Sequence, residues 1–176
     1  MKPLLIIFTI ACSLPIRADN AIPPTEFERA SAETQTVVIR AESIIGSLES
    51  KHGDKIEVRA CEVSAKGPKH YAVQINGISI DSDEVVPLLN AVESLLKVDK
   101  TATKLDDFNA SYTTRGGFHF QRYYQASHPN EFTLDIDWFD PNNSANGTHV
   151  GNLTSHEIIE LKVLIQKAQD KLQSIQ

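Results

Sequence analysis

The segment Asp107–Phe139 constrains this chain more than any other, because its apolar residues recur at every second position. Phe108, Ala110 and Tyr112 alternate with polar residues, as do Phe118, Phe120 and Tyr124, and then Phe132, Leu134, Ile136 and Trp138. Side chains on a strand point to opposite faces in turn, so this period describes strands with one buried face. Arg115-Gly116-Gly117 and His128-Pro129-Asn130 interrupt the pattern where the chain would reverse. The segment therefore predicts a three-stranded antiparallel meander with its aromatic and aliphatic residues inward.

The remaining elements arrange themselves around that meander. Thr25 and Glu28 have capping-box spacing, and Phe27, Ala30, Val37, Val38, Ala41, Ile44, Ile45 and Leu48 fall on one side of a 3.6-residue wheel. The pattern predicts one long helix that stops at Gly53, with an interruption near Thr34–Thr36, where β-branched residues lower helix propensity. Strands are expected over Lys55–Val63 and His70–Asn76. Asn76-Gly77, between two alternating apolar pairs, is a strong hairpin signal, since both residues tolerate the positive φ of a type I′ turn. Ser82 to about Val98 reads as a second helix, with Val85, Leu88, Leu89, Val92, Leu95 and Leu96 as its apolar stripe. Asp140–Asn152 is rich in Asn, Gly and Ser and reads as a loop. Thr154 and Glu157 repeat the capping box ahead of a third helix, with Ile158, Leu161, Ile165, Ala168 and Leu172 as its core stripe. Glu84-Val85-Val86-Pro87-Leu88 faintly echoes Glu157-Ile158-Ile159-Glu160-Leu161, as two units ending in similar helices would. The expected fold is α+β, with a mostly antiparallel sheet of five to six strands and three amphipathic helices packed on one face.

The first 18 residues stand apart from this pattern. Lys2, the apolar run Leu4–Ile10, Pro15 and Ile16-Arg17-Ala18 follow the order of a secretory signal peptide. The run is well short of the ~20 residues that a membrane-spanning helix requires. Cleavage after Ala18 leaves residues 19–24 as a flexible mature N-terminus and 25–176 as one α+β domain, secreted or periplasmic. Thr9-Ile10-Ala11-Cys12 offers an alternative, a lipobox-like site that would anchor the protein by lipid outside the cytoplasm. Removing residues 1–18 takes Lys2 and Arg17 from the 17 basic residues and none of the 23 acidic ones, so the formal net charge moves from −6 to −8. No basic stretch remains for nucleic acid or an anionic membrane to grip. Cys61 is then the one cysteine left, and an internal disulfide is excluded.

Three constellations carry candidate chemistry. With the meander's apolar residues inward, His119 faces Asp137 and Gln121 faces Asp135 on the outer side. A three-residue reversal centred on Arg115 adds Ser111 beside His119. Ser111, His119 and Asp137 have the composition of a hydrolytic triad, although no G-x-S-x-G elbow surrounds the serine. Asp135, Asp137, Asp140 and Asn142, with Asn146 nearby, supply oxygen ligands of the kind Ca²⁺ takes, without EF-hand spacing. Arg115 at the turn, with His119 and Tyr123 on the outer face, forms a candidate site for an acidic or carbohydrate ligand. The six histidines lack i, i+4 pairing and Cys61 is alone, which argues against zinc. No glycine-rich loop precedes a helix, and no cofactor is implied. Asn109, Asn142, Asn146 and Asn152 each begin an N-x-[Ser/Thr] sequon. The expectation is an exported, non-enzymatic binding module for a protein or small polar ligand. A small secreted hydrolase built on His119, Asp137 and Ser111 is the alternative.

Overall fold

The computed structural model describes residues 23–127, 132–138 and 149–176, with the backbone alone in 132–138 and 149–152. The signal segment, Cys12, Asp19 to Ile22, Asp140, Asn142 and Asn146 lie outside the described residues. The chain is α+β. Thr25 caps α1 (Glu26–Ser31) through the expected box: its hydroxyl accepts from the Glu28 amide, while the Glu28 carboxylate accepts from the Thr25 amide. There follow β1 (Ile39–Glu49), β2 (Lys55–Ser64), β3 (His70–Ile75), β4 (Ile78–Asp81) and α2 (Val85–Lys97). A second set repeats the order: β5 (Phe108–Thr113), β6 (Phe118–Tyr124), β7 (Phe132–Trp138), β8 (His149–Leu153) and α3 (Ser155–Gln173).

The strands do not share one sheet of five or six. They form two antiparallel four-stranded meanders, β1-β2-β3-β4 and β5-β6-β7-β8. Nor is there a long first helix: α1 ends after six residues, and its anticipated continuation is β1. The reason lies in Thr36–Ile39 and Ile44-Ile45, where β-branched side chains suit a pleated strand better than a helix. A bulge between Ile44 and Gly46 leaves Ile45 without a partner on β2 and shifts the alternation by one residue, which blurred the two-residue period. Gly53 does take positive φ, at 87°, but in the β1–β2 turn. Asn76 (φ 49°) and Gly77 (φ 89°) make the hairpin turn as expected. The end of the anticipated 140–152 loop is instead β8, which pairs Val150 with Ile136 and His149 with Asp137.

Both sheets feed one core. Ile56, Val58, Ala60, Val73, Ile75 and Ile80 of the first sheet meet Phe118 and Phe120 of the second, with α2 and α3 among them. The helices do not all cover one face. α1 packs Phe27 and Ala30 over Cys61, Val63 and Ala72, on the side of the first sheet opposite this core. The two longer helices match: Val85, Leu88, Val92 and Leu95 of α2 recur in α3 as Ile158, Leu161, Ile165 and Ala168, all buried. Val86 and Ile159 are correspondingly exposed. The molecule is thus two ββββα units closed over common apolar contents. No helix among the described residues is long and apolar enough to cross a membrane.

Polar ties lock the units together, Lys162 of α3 on Glu93 of α2 among them. Glu157, at the start of α3, accepts the Lys51 amide of the β1–β2 turn at 2.6 Å. Glu84, at the equivalent point of α2, accepts the Arg115 amide of the β5–β6 turn at 2.8 Å. Each unit's helix start therefore holds the first hairpin of the other. Another tie is Arg122, which is on the core side of β6 and 8% exposed; its guanidinium donates to the carbonyls of Leu95 and Leu96 at 2.8 and 2.6 Å. Both carbonyls belong to the last turn of α2, where Leu95 O also accepts the Val98 amide at 3.2 Å, and the cation suits the negative end of the helix dipole. Burial lowers the Arg122 pKa, and the charge of Asp99 opposes that shift.

Candidate functional site

The outer face of the second sheet is built by register. β6 and β7 pair His119 with Asp137, Gln121 with Asp135 and Tyr123 with Thr133, which is the pairing the alternation predicts. Phe118, Phe120 and Arg122 take the opposite parity and enter the core. β5 is offset from its expected position. Thr113 faces His119 and Ser111 faces Gln121, so Ser111 is a diagonal neighbour of His119 and the anticipated Ser111–His119 row is not formed.

Turn chemistry explains the two-residue offset. The Gly117 amide donates to Thr114 O at 3.0 Å, and the Thr114 amide donates to Phe118 O at 2.9 Å. Gly117 has φ 81°, a left-handed position that belongs inside the loop. The three-residue reversal is therefore Arg115-Gly116-Gly117, centred on Gly116 and not on Arg115.

Arg115 does not project as a free tip. Its guanidinium lies 2.5 Å from Asp83, 3.3 Å from Glu84 and 3.7 Å from Asp81. Burial works against its charge, but the carboxylates outweigh burial and its pKa is raised. Gly116 beside it is needed for close approach: a Cβ there would stand 2.6 Å from the Ser79 carbonyl oxygen and 2.8 Å from the Thr25 methyl. The loop is thus docked on the first unit. Asp81 also accepts the amides of Glu26 and Phe27 at 2.9 and 3.2 Å, which fixes α1 at the same junction.

What remains on the outer face is a polar surface. His119 Nδ1 shares a 2.6 Å hydrogen bond with Thr113 Oγ1, and its Nε2 lies 3.3 Å from Gln121 Oε1. His119 and Tyr123 are half-buried, whereas Asn109, Ser111 and Thr113 are exposed. The registers set Thr113, His119, Asp137 and His149 in one row across four strands. Asp135 and Asp137 occupy alternate positions of β7, on one face. Their companions in the anticipated Ca²⁺ set, Asp140 and Asn142, lie outside the described residues. Among the described residues no three His, Cys, Asp or Glu side chains gather as metal ligands.

Sequence reasoning missed Thr113 as the partner of His119, since only the position of the left-handed glycine could have shown it. It also missed the acidic clasp on Arg115, whose members lie some thirty residues earlier in the chain. Arg122 was readable: an arginine in the apolar phase of β6 must find buried acceptors.

A concavity lies under α1, on the first sheet, lined by Phe27, Arg40, Glu42, Cys61, Gln74 and Ser79 among others. Arg59 bridges Glu57 and Glu42 nearby, at 2.6 and 2.8 Å. Cys61 is 2% exposed, and burial, followed by the charge of Glu42, pushes its thiol up to about 11. It is not a reactive cysteine. No protein-family model matches this chain, and no curated protein matches it in sequence.

Proposed function

We propose that the chain is an exported, non-enzymatic binding module that presents the outer face of its second sheet to a protein or small polar ligand. One observation carries the reading. The β5–β6 face turns Asn109, Ser111, Thr113, His119 and Tyr123 away from a core that takes both long helices, so no described helix covers it. His119 and Tyr123 remain the proposed contacts. Arg115 has its charge met within the chain, so its role is to hold the loop. The order of residues 1–18 supports secretion or a periplasmic location, and Cys12 keeps lipid anchoring as the alternative.

Hydrogen-exchange footprinting of the purified protein, with and without extract of its native compartment, tests this. Protection over Asn109–Thr113 and Phe118–Tyr124 is expected, and it should be lost in His119→Ala/Tyr123→Ala while Arg115→Ala retains it if folded. Protection confined to other surfaces would overturn the assignment.

The hydrolase alternative draws on the His119–Asp137 register, with the Thr113 hydroxyl at His119 Nδ1 where Ser111 was expected. It requires esterase or amidase turnover that His119→Ala abolishes, together with Thr113→Ala or Ser111→Ala. Absence of turnover in the parent protein removes it.

A further inference from the structure

The edges of the two sheets differ in how they are finished. β4 is closed off by the β5–β6 loop, whose Gly116 sits against the Ser79 carbonyl. Among the described residues β1 is left open along the other side of the first sheet: it pairs with β2 alone, and no described backbone bond reaches its far edge. Its first seven residues are exposed or half-buried, and Ile39 and Ile44 are 62% and 63% exposed, with Val37 just ahead at 79%. Exposed edges in soluble proteins are ordinarily blunted by proline, charged side chains, bulges or a short length. β1 runs for eleven residues without proline or lysine; its bulge comes only after Ile44, and the charges ahead of it, Arg40 and Glu42, are of opposite sign.

We propose that residues 37–45 form a self-complementary edge through which two copies of this chain pair antiparallel, joining their first sheets across a twofold axis at Ala41. The charges select the register. Cross-strand partners in a continuous sheet must share a face, so only pairings symmetric about a residue are open. Centring on Arg40 would set it against its own copy, and centring on Glu42 would oppose two carboxylates. Centring on Ala41 sets each Arg40 against the other copy's Glu42, twice, with Val38 against Ile44 on either side. These four residues lie on the face shared with Cys61 and Val63. The other face pairs Val37 with Ile45 and Ile39 with Ser43, which covers the exposed Val37 and Ile39. The bulge between Ile44 and Gly46 bends β1 away and ends the paired stretch there. β5, the corresponding edge of the second sheet, has six residues and no charged side chain to set a register.

A strand-edge interface of this length belongs with small, reversible contacts, so sedimentation velocity on the purified protein should show a dimer forming between about 1 and 100 μM. Arg40→Glu places carboxylates opposite one another twice and should weaken association about tenfold or more. The double exchange Arg40→Glu/Glu42→Arg restores complementarity and should recover most of it. Circular dichroism checks the fold of each variant, because Glu42 also pairs with Arg59 within the chain. Ala41→Cys supplies an independent reading: it should give a disulfide-linked dimer without reductant, whereas Glu49→Cys, beyond the bulge, should not. A protein that stays monomeric throughout that range, or a dimer indifferent to Arg40→Glu, would overturn the proposal. So would cross-linking through Glu49→Cys and not through Ala41→Cys.

Discussion

The two ββββα units follow one plan and finish it differently. Each ends in a helix with the same buried spacing, and each helix start offers a glutamate to the other unit's first hairpin. Yet Glu157 belongs to a complete capping box and also accepts from Thr154 N and Oγ1, at 2.6 and 2.7 Å. α2 begins without any side-chain cap. Its start is held from outside, by Arg115. The start of α3 is therefore defined by its own sequence, whereas that of α2 depends on a loop of the neighbouring unit. The outer faces differ as well. That of the first sheet is partly roofed by α1, while no described helix covers that of the second.

This comparison can be broken experimentally, and the largest effect should come from the shared core. Phe118→Ala is expected to cost about 3–5 kcal/mol. Urea unfolding followed through Trp138, the chain's one tryptophan and a residue of the second unit, should shift together with hydrogen exchange of β2 and β3 amides in the first. Unchanged protection of the first unit would show that the units are energetically separate. Arg122→Ala comes next, at about 1–3 kcal/mol, because the Leu95 and Leu96 carbonyls lose a charged donor and only the Val98 amide is left to Leu95; the urea midpoint reads it.

The two glutamates should be unequal. Glu157→Gln and Glu84→Gln each weaken one tie, and the loss at Glu157 should be the larger, about 1–2 kcal/mol, since more donors depend on it. Burial works to raise the Glu157 pKa, but hydrogen bonds from the Thr154 side chain, the Thr154 amide and the Lys51 amide outweigh it, and the pKa falls below 4.5. A depressed carboxylate stabilises the fold above its unfolded value and loses that contribution as pH falls through the folded one. The gap in Tm between the parent and Glu157→Gln should therefore be full near neutral pH and close on the acid side of 4.5. A gap independent of pH would assign the effect to packing. Two glycines give a further contrast. Gly116→Ala meets backbone and should cost about 1–3 kcal/mol; Gly46→Ala meets only the tip of Leu164 at 2.8 Å and should cost less.

Local signals were legible in the sequence wherever a few neighbouring residues decide the outcome. Both Thr–Glu capping boxes, the Asn76-Gly77 turn and the β6–β7 register are of this kind. The division into two sheets was not legible, since alternation shows that a strand has two faces without showing which strands lie beside it. The first helix was misassigned because its apolar residues fit a helical wheel, while the bulge at Ile45 hid the strand period. Ser111 was placed one row off because Gly116 and Gly117 both permit a turn, and only the left-handed φ of Gly117 fixes its centre. Arg115 looked available for a ligand because Asp81, Asp83 and Glu84 are remote in sequence and adjacent only after folding.

The sealed position of Cys61 gives the molecule a built-in clock. Among the described residues α1, with Val38, covers that part of the sheet, so a thiol reagent reaches the sulfur when this cover lifts or the chain unfolds. Comparing labelling rates with global unfolding would show which of the two opens the way.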